Sequence, residues 1–237
     1  LVSEKVDGET WFLRVKRGEA ALLSPSGKAI VGVPLLDEAT ALLGDGAILA
    51  AGELYAVVGH GRPRVHDLHA VLGGGTNADV ARLRFAAFDL LLDGKQEAQQ
   101  LPFGKRVERL RQQFGKGERI HPARFETANG VADVAAAYDR FVTKDGAEGI
   151  VIHSPDGRIF KVKPEITIDA VVVGFTANGA RVSELLLALI DEKQRFRLIG
   201  RVRSGFSEAE RRSLFGCLSP GGCEAQYRLV GEHGHRA

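Results

Sequence analysis

Sulfur-containing residues are scarce in this sequence. Its 237 residues include no methionine and only two cysteines, Cys217 and Cys223. Two cysteines close together near the end do not make the disulfide framework of a small secreted protein, so we expect reduced thiols. A complete product of this length would contain an initiator methionine, so the sequence is expected to be a fragment or to lack residues.

Long hydrophobic runs and an excess of charge are also absent. No segment approaches the roughly 18 consecutive apolar residues that span a bilayer, and the start does not have the pattern of a signal peptide. The 32 basic and 30 acidic residues give a formal net charge of +2, so any nucleic-acid-binding face must be local. We therefore expect a cytoplasmic protein without membrane association, with one large or two smaller domains.

Apolar residues at strand and helix spacing predict an α+β fold. Residues 11–15, 19–23, 48–57 and 85–92 are predicted strands, and Ser24-Pro25-Ser26-Gly27 is turn chemistry that follows the second of them. A reactive lysine at position 5 would precede the first strand.

A predicted helix and a predicted loop lie between these strands and the middle of the chain. Residues 131–142 are expected to form the helix, with Asn129 as its cap, Val131 on its apolar face and Gly146 at its end. The polar segment 59–79 is rich in histidine and glycine and predicts a mobile surface loop. Its Gly73-Gly74-Gly75 triplet is not a phosphate-binding loop, because no Lys-Ser or Lys-Thr pair follows it.

The last third of the chain changes its rhythm. Residues 170–175, 185–190 and 196–202 predict short strands, and Ser207-Glu208-Ala209-Glu210 predicts a capping box that opens a helix. Several short strands with one helix suit a small β-barrel of the oligonucleotide-binding (OB) type. We therefore predict domains at residues 1–166 and 167–237, with the second domain incomplete.

Three short strings occur in a fixed order: Lys5-Val6-Asp7-Gly8, Glu148-Gly149-Ile150-Val151 and Lys161-Val162-Lys163. A lysine becomes a nucleophile only when its pKa, about 10.4 in the free side chain, is lowered by burial or by nearby cations. Lys161 and Lys163, at alternate positions of a strand, would project to one face and reach one phosphate site.

Together the strings resemble the covalent nucleotidyltransferases, and most closely the ATP-dependent DNA ligases. The resemblance covers residues 4 to about 215 and implies a nucleotidyltransferase (adenylation) domain followed by an OB-fold domain. It implies that Lys5 attacks the α-phosphate of ATP, that a lysine-AMP intermediate forms, and that AMP passes to the 5′-phosphate of nicked double-stranded DNA. Closure of the break by a 3′-hydroxyl then completes the reaction.

The same resemblance implies roles for the other matching residues. Lys161 and Lys163 would hold the α-phosphate, and Glu148 would bind Mg²⁺. Glu53 would accept a hydrogen bond from the ribose, and Phe88 would stack on adenine. The other two implied contacts are Asp7 with the sugar-phosphate at the reaction centre and Glu4, beside the nucleophile, with the nucleotide.

Two arginines typical of the family are replaced. Thr10 and Pro25 stand where DNA ligases usually carry arginines that bind phosphates of the nick, and neither can make a bidentate phosphate contact. The nearby Arg14, Lys16 or Arg17 are candidates to compensate. A basic final motif has no counterpart in residues 228–237.

Alternative functions follow from these differences. An RNA ligase or RNA-repair enzyme would use the same first step, as would a capping-type guanylyltransferase. A non-catalytic nucleic-acid-binding module would form no covalent adduct. A zinc site from Cys217, Cys223, His233 and His235 is disfavoured, because their spacing is not that of a zinc knuckle.

Overall fold

The structure, a computed structural model, describes residues 1–74, 76–165 and 167–219 and the backbone of Leu229–Val230. The chain divides into two units, Leu1–Pro164 and Glu165–Ala237. Residue 166, where the sequence analysis divides the chain, lies outside the described residues, as do Cys223, His233 and His235.

Two β-sheets and several helices make up the first unit. Its larger sheet has the strand order β4-β3-β2-β5-β6-β7, with β8 parallel to β6, and its smaller sheet has the order β11-β10-β1-β9. The strands are β1 Val2–Lys5, β2 Glu9–Lys16, β3 Glu19–Leu23, β4 Ala29–Ile30, β5 Ala47–Ala56, β6 Leu83–Asp93, β7 Gln96–Glu97, β8 Ile120–Pro122, β9 Phe125–Glu126, β10 Gly149–His153 and β11 Ile159–Val162.

Five α-helices accompany these strands among the described residues of the first unit, together with a 3₁₀ turn at Ala98–Gln100. A π-helical segment, Asp139–Lys144, continues directly from the last of them. The α-helices are α1 Pro34–Leu43, α2 Val65–Leu72, α3 Asn77–Val80, α4 Phe103–Phe114 and α5 Val131–Tyr138.

Alternation along β2 places the main core on one face of the larger sheet. Trp11, Leu13 and Val15 are buried, whereas Thr10 and Arg14, which point to the other face, are exposed. Helices α1, α2 and α4 contribute to the same core. Its largest members include Leu22, Leu35, Leu54, Leu68, Phe85, Leu90, Leu110 and Phe114.

The smaller sheet has a separate core. Val2 of β1 and Ile150 of β10 pack against Ala137 of α5 and Phe141 of the π-helical segment. Lys5 is the last residue of β1, so the prediction that it would precede the first strand is wrong. The sequence pattern did not predict this four-residue strand, because Val2 is its one large hydrophobic residue.

The prediction of a mobile loop at residues 59–79 is also wrong. This segment contains α2 and α3, and Leu68 and Val71 of α2 are buried. These two residues lie three positions apart, which places them on one helical face. The histidines, arginines and glycines around them hid this short apolar stripe.

The helix predicted at residues 131–142 forms, but its start differs from the prediction. Gly130 is the N-cap, Asn129 instead donates its backbone N–H to Asp133 at 2.8 Å, and Val131 is 86% exposed. The chain leaves the π-helical segment through Gly146, whose φ of 73° requires glycine, and arrives at Glu148.

The second unit contains a four-stranded sheet of order β12-β13-β14-β15 and a helix, α6. Strands β12 Val171–Ala177, β13 Val182–Ile190 and β14 Phe196–Val202 are antiparallel, and β15 Leu229–Val230 runs parallel to β14. The three predicted strands and the capping box are confirmed. Ser207 and Glu210 exchange the predicted hydrogen bonds at the start of α6 Glu208–Leu218.

Candidate active site

Lys5 and Glu148 meet because β1 and β10 are antiparallel neighbours. Lys5 lies opposite Gly149 in the register of these strands, so Glu148 comes directly beside the lysine. The Lys5 ammonium donates a hydrogen bond to Glu148 Oε2, and the Lys163 ammonium donates one to Oε1 of the same carboxylate. Lys5 and Glu148 are only 17% and 14% exposed, so this contact is sheltered from water.

The Glu148 carboxylate is held in its charged form. Burial opposes ionisation, but the hydrogen bonds from Lys163 and Lys5 outweigh it and lower the pKa of Glu148 below its usual value. One carboxylate therefore pairs with two lysines, one from the first motif and one from the last, and the three groups together carry a net charge of +1. Lys163 occupies the position after the end of β11, so the prediction that it belongs to the strand is wrong.

A cavity of about 370 Å³, the nucleotide-sized cavity, lies beside Lys5. Its volume suits a small-molecule ligand. It is enclosed by both sheets of the first unit. Five of the eight predicted site residues line it, namely Glu4, Lys5, Glu53, Phe88 and Lys161. Phe88 also packs against the small hydrophobic cluster around Phe125, and this packing supports its ring.

Glu53 faces this cavity from β5, opposite Thr10 of β2. The Thr10 hydroxyl donates to Glu53 Oε2 at 3.4 Å. Burial raises the pKa of Glu53, while the charge of Lys5 and the Thr10 hydroxyl partly offset this effect. Glu53 is therefore a sheltered acceptor at the wall of the cavity.

Glu4 has a partner that the sequence did not reveal. Arg124 donates from Nε to Glu4 Oε2 and from Nη1 to Asp145 Oδ2, both at 2.6 Å. The pKa of Arg124 is raised: its burial acts against this, but the hydrogen bonds to Asp145 and Glu4 prevail. Arg124 thereby connects β1 with the end of the π-helical segment.

Asp7 lies apart from the nucleotide-sized cavity. It lines a second cavity, of about 670 Å³, together with Arg62. Its carboxylate accepts a hydrogen bond from the Val65 backbone N–H at 3.3 Å and one from Arg62 Nη2 at 3.4 Å. Asp7 thus connects the first motif to the start of α2.

The glycines of two motifs allow close approach of neighbouring strands. A Cβ on Gly8 would lie 2.2 Å from the Leu54 carbonyl oxygen, and one on Gly149 would lie 2.3 Å from that of Val162. The same added Cβ on Gly149 would lie 3.2 Å from Cγ of Lys163. These positions therefore need glycine for space.

We expect Gly149→Ala to destabilise the protein by about 1–3 kcal/mol, because β10 and β11 must separate to fit the methyl group. Urea unfolding measures this change. Gly59→Ala is the control, since a Cβ there meets nothing within 4 Å. Equal stability of the two variants would contradict the steric role of Gly149.

Sequence reasoning missed a half-buried ion pair at the same cavity. Arg106 of α4 donates from Nε to Asp89 Oδ1 at 2.6 Å and from Nη2 to Oδ2 at 3.2 Å. Asp89 follows Phe88 directly, so its presence at the site could have been inferred from the strand. Arg106 gave no such signal, because one arginine in a polar helix resembles any surface residue.

His153 is packed among aromatic rings. Its ring stacks on Phe103 with centroids 4.1 Å apart and lies 6.0 Å from that of Phe125. Burial lowers the pKa of His153 to about 4. The imidazole is therefore neutral at physiological pH.

This shift predicts a pH-dependent stability. Between pH 6.5 and about 4 the unfolded chain binds a proton at His153 and the folded chain does not, so stability falls as the pH drops through this window. The free energy of unfolding at pH 7 and pH 5 should differ less in His153→Phe than in the parent. The exposed His66→Phe is the control, and an unchanged difference in His153→Phe would refute the assignment.

The compensating arginines suggested by the sequence lie along β2. Arg14 is four residues from Thr10, or about 13 Å along a strand, and Arg17 is in the turn after it. Ser24-Pro25-Ser26-Gly27 forms the predicted turn between β3 and β4, in which Ser24 Oγ accepts the Lys28 N–H at 2.9 Å. Neither Arg14 nor Arg17 lines the two cavities beside Lys5.

Comparison with known proteins identifies the family. The model of the ATP dependent DNA ligase domain matches residues 1–161, more than half of the chain. The chain belongs to the ATP-dependent DNA ligase family. Its predicted membership is thereby confirmed.

Curated relatives of this ligase domain are about one quarter identical to it. A probable DNA ligase of Beutenbergia cavernae is 28% identical over 226 residues, covering 87% of this chain and 43% of the relative. The multifunctional non-homologous end joining protein LigD of Pseudomonas aeruginosa is 28% identical over 233 residues, covering 91% and 27%. The chain therefore spans less than half the length of these relatives.

Solved structures share the fold. A Lig E DNA ligase, studied for DNA binding with a minimal scaffold, has a TM-score of 0.63 and 22% identity over 90% of this chain and 80% of its own. A mycobacterial DNA ligase D complexed with ATP and MES has a TM-score of 0.55 and 24% identity over 92% and 71%. The predicted α+β fold, an adenylation-type domain followed by an OB-type domain, is confirmed.

Two absences concern the described residues. None of their helices is both long and apolar enough to cross a membrane. They also contain no cluster of three or more histidine, cysteine or acidic side chains suited to a metal ion. Cys217, the one cysteine among them, is exposed on α6.

Proposed function

We propose that this ligase domain joins nucleic-acid strands through a covalent lysine-AMP intermediate at Lys5. The observation that carries the proposal is the juxtaposition of Lys5, Glu53, Phe88 and Lys161 at one cavity, with Glu148 in contact with the lysine. An aromatic ring, a carboxylate acceptor and two cations suit a base, a ribose and a phosphate in turn.

In the first step, Lys5 Nζ attacks the α-phosphorus of ATP. A phosphorus–nitrogen bond forms, the bond to the oxygen of the β-phosphate breaks, and pyrophosphate leaves with that oxygen. Lys161 and Lys163 stabilise the charge that develops on the α-phosphate. The amine must be neutral to attack, so the proton that Lys5 shares with Glu148 has to leave Nζ first.

Glu148 is the residue that would hold Mg²⁺, since this ion favours one or two carboxylates combined with substrate phosphates. Bound there, Mg²⁺ would neutralise charge on the leaving pyrophosphate. Both oxygens that would bind the ion also accept hydrogen bonds, from Lys5 and from Lys163.

In the later steps, the 5′-phosphate of a nicked duplex attacks the AMP phosphorus and releases Lys5. The 3′-hydroxyl of the neighbouring strand then attacks the activated phosphate, and AMP leaves. The DNA acceptor is proposed because the relatives are described as DNA ligases. Movement of the chain near Pro164 would allow the same lysine to face pyrophosphate and then the nick.

An RNA-containing acceptor is the second candidate. Thr10 binds Glu53 through its hydroxyl, so the position that carries an arginine in typical DNA ligases provides no phosphate contact here. At this position the chain therefore lacks the phosphate-binding arginine that would favour a DNA nick as the acceptor.

The test is intact-protein mass after incubation with ATP and Mg²⁺. Addition of AMP supports the first step, and its discharge upon addition of 5′-phosphorylated nicked DNA supports DNA ligation. Nicked RNA and mixed duplexes, added in parallel, separate the two acceptors. A protein that gains no AMP, and carries none when purified, would contradict the proposed function.

A further inference from the structure

A second cavity borders Lys5. It shares Glu4, Lys5 and Val6 with the nucleotide-sized cavity, and all its other lining residues are different. Most of them come from the segment just before α2 and from residues 143–147 at the end of the π-helical segment. A group bound in this cavity therefore reaches Lys5 by a separate route.

Most cations of the second cavity already have close carboxylate partners. Arg124 is bound by Glu4 and Asp145, both at 2.6 Å, and Lys144 lies 3.0 Å from Asp139. Arg62 differs, since its contact with Asp7 measures 3.4 Å.

The Arg62 guanidinium has donors that are not used. Its Nε is enclosed by protein and has no hydrogen-bond partner among the described residues. The side chain as a whole is 25% exposed, so part of it still opens to the cavity. Nε itself is too enclosed to be reached, so a ligand oxygen would bind the part of the guanidinium that opens to the cavity.

Local structure holds Arg62 in place. Pro63 follows it, and a proline restricts the backbone of the residue before it to extended conformations. Asp7, two residues after Lys5, binds both Arg62 and the Val65 N–H. Asp7 thus positions Arg62 beside the first motif.

We propose that Arg62 binds the terminal 5′-phosphate of the acceptor strand and supplies the guanidinium that is missing at Thr10. This inference rests on the proposed function and extends it to the residue that receives the acceptor. Arginine suits the role because its planar fork can donate two parallel hydrogen bonds to a phosphate. Asp7 is a positioning residue, since its own negative charge would repel the phosphate.

The transfer step gives Arg62 a defined task. An oxygen of the 5′-phosphate attacks the AMP phosphorus, the phosphorus–nitrogen bond to Lys5 breaks, and Nζ leaves as an amine after taking a proton. Arg62 keeps its own protons and holds the attacking phosphate in the cavity that borders Lys5. Self-adenylation does not require it.

The test compares binding of two nicked duplexes, one with a 5′-phosphate and one with a 5′-hydroxyl at the nick, at one fixed salt concentration without nucleotide. Fluorescence anisotropy gives both affinities. We expect the parent protein to prefer the phosphate by about tenfold, the effect of one charge-assisted bidentate contact. Arg62→Ala should abolish this preference, and Arg62→Lys should keep part of it.

Arg64→Ala is the matched control, because Arg64 is exposed, lies two residues away and does not line the cavity. It removes the same charge and should leave the preference unchanged. Arg62→Gln, which keeps hydrogen-bonding capacity without charge, replaces Arg62→Ala if circular dichroism shows that the latter is unfolded. The proposal is overturned if the parent has no preference, or if a folded Arg62 variant without the charge retains it.

Measurement of AMP attachment on the same samples separates this inference from the proposed function. Arg62→Ala should form the AMP adduct as fast as the parent does, and discharge it more slowly onto the 5′-phosphate. A parent protein that forms no adduct contradicts the proposed function, while its phosphate preference still reports on Arg62. Slower adduct formation in Arg62→Ala, but not in Arg64→Ala, would assign Arg62 to the nucleotide step and refute the proposal.

Discussion

Replacement of Lys5 by alanine is expected to abolish covalent attachment of AMP completely. The variant lacks the proposed attacking amine, which lies at the end of β1 and donates to Glu148 Oε2. Intact-protein mass after incubation with ATP and Mg²⁺ measures the result. Lys5→Arg should fail as well, because a guanidinium stays protonated and is not a nucleophile.

A lysine outside both cavities provides the control for this loss. Lys16→Ala removes an exposed lysine from the far end of β2 and should leave AMP attachment unchanged. The Lys5 variant should still close a nick that carries preformed AMP on its 5′-phosphate, since this last step breaks no bond to the lysine. AMP attached to Lys5→Ala would show that the nucleophile lies elsewhere.

Glu148→Gln should slow AMP attachment by about 10²-fold or more, because a preorganised charge at the reaction centre is lost. The measurement is the rate of adduct formation over a range of Mg²⁺ concentrations. We expect the variant to need more Mg²⁺ than the parent. Glu126→Gln, which removes the charge from a glutamate paired with Arg140 outside the nucleotide-sized cavity, should change neither the rate nor the Mg²⁺ requirement.

The direction of the Glu148→Gln effect decides between two roles for this carboxylate. If Glu148 only paired with the two lysines, its neutralisation would favour the neutral amine of Lys5 and would speed the attack at a fixed pH. If it holds the metal, the rate falls. Faster AMP attachment in Glu148→Gln would therefore refute the metal-binding role.

The resemblance of the motif strings to those of DNA ligases predicted much of the candidate site. Lys5 and Glu148 are far apart in sequence, but the register of β1 and β10 makes them neighbours. The same resemblance assigned Glu53 and Phe88 to the site, and the apolar patterns around them predicted their strands. Their roles in catalysis stay predictions, whereas their positions around one cavity follow from the sheets.

Other parts of the site could not be read from the sequence. Arg106, Arg124 and Arg62 are separated from their carboxylate partners by long stretches of chain, and an arginine in a polar segment gives no periodic signal. Helix α2 was hidden for a related reason, since its apolar stripe consists of few residues among polar neighbours. Such contacts depend on how the elements pack, which local patterns do not encode.

The place of β1 within the smaller sheet limits how the reaction can proceed. This strand pairs with β10 along its whole length, including Lys5, and its first half also pairs with β9. Opening such an interior strand costs far more free energy than moving a loop. We therefore expect the backbone at Lys5 to keep its position during the reaction. The nucleotide and the strand ends must move to the lysine.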